Sequence, residues 1–182
     1  RGHPMAASGQ NLAFRRCAYD EVNGYDGVMH RVSGDDVLFL HKIRRLTGWS
    51  IVFASDPDAY SIHPTSSSWL AFINQRSRWA SNAPLMRVFD PPFFGYMCIA
   101  YAVNALLILT PLLCWIGVIK WLWIFGFVVI KCISDWAIFS RIIKKTGRLD
   151  LVKFWPLWVI LQPFHVLLIG LLGTLGLFRW KR

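Results

Sequence analysis

From Phe93 to Ile119 the chain runs without a charged residue, rich in Leu, Ile and aromatic side chains. That stretch exceeds the roughly 20 residues a helix needs to cross a hydrocarbon core. In lipid every backbone N–H and C=O must be satisfied within the segment, so this run is a helix and the chain is a membrane protein. A second run, Trp121 to Phe139, is interrupted by Lys131 and Asp135. Their separation of four residues puts them on one helical face, where they can pair. A third, Phe154 to Phe178, contains Pro156 and Pro163 and ends in the aromatic and basic cluster Arg179, Trp180, Lys181, Arg182. Its prolines leave room for a kink or a return to the same face. The expectation is an all-α transmembrane region of two to three helices over residues 93–182.

Charge is distributed unevenly. Residues 1–90 hold ten Lys/Arg against eight Asp/Glu and residues 91–182 hold ten against two, so the net +10 divides as +2 and +8. Cations that flank apolar spans set topology and meet anionic lipid, and they account for the basic pI without nucleic-acid binding. The loop residues Arg141, Lys144, Lys145, Arg148 and Lys153 mark a cytoplasmic side. Three full crossings would then place the basic C-terminus outside. Either one run is re-entrant or interfacial, or the rule fails at the last helix. Cys17, Cys98, Cys114 and Cys132 show neither CxxC nor metal-ligand spacing. Asp135 and His165 invite a transport reading, but Asp135 has Lys131 as a ready partner and His165 stands alone. The chain opens at Arg1 with neither an initiator Met nor a signal-peptide pattern, which reads as a fragment of a longer protein.

The polar half, residues 1–92, carries ordered groups. Ser8, Gly9, Gln10, Asn11 make a turn before Leu12, Ala13, Phe14 and the pair Arg15, Arg16. Glycine there permits close backbone approach to a ligand, although an ordinary turn explains the segment as well. Val22 to Tyr25 is a turn signal. Ser33, Gly34, Asp35, Asp36 precede the periodic segment Val37 to Leu46, with Gly48 as the expected C-cap. A carboxylate at a helix N-terminus stays ionised and could accept a proton; capping accounts for the pair equally well. Trp49 to Ala54 and Ala59 to Ile62 are β-prone, and Asp56, Pro57 make the turn between them. Thr65 or Ser66 is the expected N-cap of a helix running to about Asn82 and burying Trp69, Leu70, Phe72 and Ile73. At its far end Gln75, Arg78 and Trp79 share a face, joined by Arg76. A guanidinium can hold a diphosphate through two parallel hydrogen bonds, and an indole offers a stacking surface for a sugar. The competing account is a membrane-surface helix, since Trp and Arg favour the interface and Asp90, Pro91, Pro92 bring the chain to the bilayer.

Taken in order, Ser8 to Arg16, Gly34 to Asp36 and Gln75 to Trp79 resemble the second half of a glycosyltransferase family 2 domain of the cellulose, hyaluronan and poly-N-acetylglucosamine synthase type. The resemblance covers about residues 6–92 by motif and the rest by architecture only. It implies an α/β fold: the acceptor-side part of a GT-A-like domain, followed by the membrane helices. The implied function is that of a membrane-bound inverting glycosyltransferase in a bacterial-type inner membrane, its catalytic part cytoplasmic. Such an enzyme passes a sugar from a nucleotide-sugar donor of the UDP-sugar kind to a polysaccharide or glycolipid acceptor. Residue by residue, Asp36 takes the place of the catalytic base and Asp35 of its supporting neighbour. Gln75 and Arg78, with Arg76, match donor-diphosphate residues. Trp79, with Gly9 and Gln10, falls on the acceptor side. The family's divalent cation, Mg or Mn, is held through the Asp-x-Asp motif of its donor-binding half, a half expected to be missing from this chain, and no Phe-x-Val-Thr-x-Lys gating motif is present. The rivals are a non-catalytic membrane assembly subunit of an envelope complex and a transporter component.

Overall fold

A computed structural model describes residues 3–27 and 33–179. Trp180, Lys181 and Arg182 of the C-terminal basic cluster lie outside the described residues. The helices are α1 (Arg16–Glu21), α2 (Asp35–Leu46), α3 (Trp69–Ala80), α4 (Met86–Phe89), α5 (Pro91–Trp115), α6 (Trp121–Thr146) and α7 (Trp155–Thr174), with short 3-10 turns at Gly9–Asn11, Pro57–Ala59, Ala83–Leu85 and Leu149–Phe154. Among the described residues there is no strand. The expected α/β, GT-A-like fold is therefore corrected to an all-helical one. An extended segment becomes a strand only when a neighbour meets its N–H and C=O groups, and β propensity by itself supplies none. Trp49 to Ala54 thus remains irregular, and of the segment Ala59 to Ile62 Ala59 ends a 3-10 turn and the rest is irregular, with Val52 and Ile62 turned to solvent.

Two compact units emerge: unit 1, Arg1–Met97 with Leu171–Arg182, and unit 2, Cys98–Gly170. Unit 1 is organised by α2. Asp35 and Asp36 occupy its first turn and Arg44 and Arg45 its last, both complementing the helix dipole. Leu38, Phe39 and Ile43 form its buried stripe at helical spacing. Phe39 and Ile43 pack with Ala18 and Val22 of the α1 region, under a shell of Tyr19, Tyr25 and Ile51. Leu38 packs instead on Met86, with Phe89, Phe93, Phe94 and Met97 around it. Two expected caps move. Thr47, not Gly48, closes α2, its Oγ1 donating to the Ile43 carbonyl at 2.7 Å. Ser68, not Thr65 or Ser66, caps α3 by accepting the Ala71 N–H at 3.2 Å. The later start leaves Trp69 78% and Leu70 67% exposed rather than buried.

Unit 2 holds most of three helices long and apolar enough to cross a membrane: Pro91–Trp115, Trp121–Thr146 and Leu149–Thr174. Its polar side chains find partners locally. Asn104 donates to the Ala100 carbonyl at 2.8 Å and Thr110 to the Leu106 carbonyl, each one turn back on its own helix. Lys131 pairs with Asp135 and also reaches Gln162. That neutralised pair meets the rule that an intramembrane charge needs a counterpart, and it needs no ion path to explain it.

Candidate functional site

The polar groups of unit 1 gather at two places. The first is a carboxylate knot that sequence reasoning did not single out. Asp90 follows α4 and is completely buried. Its Oδ1 accepts the Phe93 N–H at 3.3 Å, capping α5 just ahead of Pro91, a residue suited to the first helical position. Its Oδ2 accepts from Arg44 Nη1 at 2.8 Å and lies 2.9 Å from His3 Nε2. Arg44 also donates to the Phe89 carbonyl at 3.4 Å, and Arg45 to the Val88 carbonyl at 2.9 Å, so the basic end of α2 ties down the end of α4. Burial alone would raise the Asp90 pKa. The hydrogen bonds from Arg44, His3 and the Phe93 N–H, with the Arg44 charge, outweigh it and hold the carboxyl at about 2. His41, wholly buried, places Nδ1 3.9 Å from Asp90 Oδ2. Burial and then Arg44 push its pKa below the usual histidine value, against smaller upward pulls from Asp90 and the Met5 backbone.

The second place is a cavity of about 370 Å³ between the N-terminal arm, the start of α2, the end of α3 and the first turns of α5. Asp36 and Trp79 both line it, with Ser8, Asn82 and Met97. Asp36 does not present a free carboxylate there. Its Oδ2 accepts the Gly9 N–H at 2.7 Å and its Oδ1 the Val37 N–H at 2.8 Å. Gly34 starts α2 in the left-handed region at φ +89°, and a Cβ there would sit 2.5 Å from Asn82 Nδ2. Only glycine suits both the backbone angle and the approach.

The remaining predicted residues are spread around this cavity. Asp35 is exposed beside Asp36. Burial lowers the Arg78 pKa, while Asp35 and Asp36 act on it in the opposite sense, which places the guanidinium within electrostatic range of both carboxylates. Arg76 stacks on Trp79, 4.6 Å from the ring centroid, and lies 5.1 Å from that of Phe72. Gln75 turns to Ser66, whose Oγ donates to its Oε1 at 3.4 Å. Gly9 and Gln10 sit in the 3-10 turn capped by Ser8, and the Gln10 carbonyl faces Ser61 Oγ at 3.4 Å.

Asp36 and Trp79 are thus brought to one cavity, while Gln75 turns to Ser66 and Arg76 stacks on Trp79 without lining the cavity itself. The Asp90 knot escaped notice because its members are up to 87 residues apart. The one local signal was Asp-Pro-Pro, an N-cap followed by Pro at the first helical position.

A sheet-based nucleotide-sugar transferase domain is overturned by this arrangement. The described residues form helices and irregular segments but no strand, and no group of three or more His, Cys, Asp or Glu placed to hold a metal ion occurs among them. In comparisons with known proteins, the family model for Glycosyl transferase family group 2 matches residues 1–177. No curated protein and no solved structure matches the chain.

Proposed function

Because the chain belongs to Glycosyl transferase family group 2, we propose that it acts as a non-catalytic membrane assembly module of an envelope complex. Its apolar helices anchor the module, and unit 1 is the interaction surface. The observation that carries this reading is the state of Asp36. Both oxygens are engaged by backbone N–H groups, the arrangement of a cap and an arm clamp. The exposed Trp69 and Leu70 at the start of α3 and the Arg76–Trp79 stack near its end suit a helix lying at the bilayer surface or against a partner. Within the complex, the nucleotide sugar, its divalent cation and the polysaccharide or glycolipid acceptor are handled by a partner that carries the donor-binding fold. The motif order from Gly9 to Trp79 supports a place beside the cellulose, hyaluronan and poly-N-acetylglucosamine synthases. The cation-rich loop supports a cytoplasmic side for that loop, and the family resemblance supports a bacterial-type inner membrane.

Equilibrium binding of a radiolabelled UDP-sugar, with Mg present, to the chain in nanodiscs tests the proposal. The expected result is no saturable binding. Saturable, cation-dependent binding that Arg78→Ala weakens would overturn it.

A further inference from the structure

We propose that the cavity beneath the N-terminal arm holds the aliphatic chain of a membrane lipid. The site lies wholly within unit 1. It goes beyond the assembly reading, because it holds whether or not the complex transfers sugars.

A volume of about 370 Å³ is in the range of small-molecule sites. The wall is mostly apolar, with Val37 from α2, Ala80 at the end of α3, Ala83, Met86, and Phe93 and Met97 from the first two turns of α5. Water fills such a space poorly, because an ordered water needs polar partners on several sides. A sugar fits it no better, since each buried hydroxyl left without a hydrogen bond is costly. Among the described lining residues Asp36 is the one charged side chain, and its two oxygens already accept the Gly9 and Val37 N–H groups. Arg78, outside the lining but within electrostatic range of Asp36, offsets that charge. The wall therefore suits a neutral, apolar guest.

The helices that border the cavity identify where such a guest comes from. Phe93 and Met97 open the apolar run of α5, and Tyr96, on the same turns, is 59% exposed. Ala80 lines the cavity and also meets α7. A Cβ on Gly173 would lie 2.6 Å from Ala80 Cβ and 2.7 Å from the Ser77 carbonyl oxygen, so α7 meets α3 almost backbone to backbone. Both α5 and α7 belong to helices long and apolar enough to cross a membrane. The cavity thus sits where one such helix begins and another ends, at the level where the acyl chains of a bilayer start. The arm closes it from the other side. Ala6, Ala7 and Ser8 contribute small side chains to the wall, and the arm is pinned to Asp90 through His3 and to Asp36 through the Gly9 N–H.

Photocrosslinking of the full chain in nanodiscs tests this, with phosphatidylcholine that carries a diazirine in its acyl chain. Met86 is the reporter, because it lines the cavity and at 2% exposure is out of reach of lipid that merely surrounds the protein. Tyr96 reports that surrounding lipid. Residue-resolved mass spectrometry is expected to find adducts at both. Ala83→Phe, which fills the cavity, should cut the Met86 adduct about tenfold and leave the Tyr96 adduct unchanged. Ala7→Phe, from the opposite wall, takes its place if Ala83→Phe unfolds unit 1. No adduct at Met86 where Tyr96 is labelled, or a Met86 adduct that survives filling of the cavity, would overturn the proposal. Labelling of Met86 by a soluble photoactivatable oligosaccharide and not by the lipid would overturn it as well, and would give the cavity to a sugar.

Discussion

The two units solve the problem of a polar side chain away from water in different ways. Unit 1 converges groups from distant parts of the sequence on one buried carboxylate, with His3, Arg44 and the Phe93 N–H all meeting Asp90. Unit 2 draws most of its polar contacts from the same helix, as Asn104 Nδ2, Thr110 and the Lys131–Asp135 pair do, with Gln162 of α7 also meeting Lys131 and the buried Asn104 Oδ1 left without a hydrogen bond. The difference follows from the solvent. Lipid gives apolar helices little hydrophobic reason to associate, so most polar groups of a span are met on its own helix. A water-facing domain can use one desolvated ion pair to fix elements far apart in the chain, at the risk that removing a partner strands a buried charge.

The largest effect that would sharpen this contrast is expected from Asp90→Ala. It leaves Arg44 without its carboxylate and α5 without its cap, at a cost of about 3 to 5 kcal/mol. Chemical denaturation in nanodiscs, read by protease sensitivity of α2 and α3, should show unit 1 opening while α6 stays protected. Asp135→Asn deprives Lys131 of its carboxylate within the apolar span, so its effect should fall on α6 and leave the protease pattern of α2 and α3 unchanged. Equal effects from the two variants would break the comparison.

Acid should produce the next largest effect, again confined to unit 1. The Asp90 carboxyl is held at about 2 against an ordinary 3.8. A depressed acid stabilises the fold above its unfolded value, and that contribution, about 2 kcal/mol, disappears as pH falls from about 4 through 2. Burial lowers the His41 pKa, so protonation of this residue in the unfolded chain destabilises unit 1 in the same direction, setting in as pH falls through the ordinary histidine value. Acid titration monitored at α2 should show this limb, and Asp90→Asn should remove its lower part. A smaller loss, about 1 to 3 kcal/mol, is expected for Gly173→Val, whose added carbons meet Ala80 and the Ser77 carbonyl. The shift in denaturation midpoint measures it.

What the sequence made legible divides along the same line. The three apolar runs and the Lys131–Asp135 pairing needed only local composition and helical spacing. The start of α2 at Asp35 and Asp36 was visible because N-terminal acids follow a local rule. The α/β expectation failed at Trp49 to Ala54 and Ala59 to Ile62, where propensity was read as structure although pairing depends on a partner strand. The burial expected for Trp69 and Leu70 failed because the cap fell at Ser68 and turned both outward. The role expected of Asp36 came through resemblance, and no local pattern revealed that Gly9, 27 residues earlier, would donate its N–H to that carboxylate.

The most direct test of unit 1 as a structural module is hydrogen exchange of the Gly9 amide. If Asp36 is a clamp, that amide is protected in the native chain in nanodiscs. Asp36→Ala should then speed its exchange about five- to tenfold, the equivalent of about 1 kcal/mol, with α2 remaining helical. A Gly9 amide that already exchanges freely in the native protein would mean the carboxylate is unengaged and available for chemistry, and would contradict the structural role assigned to it.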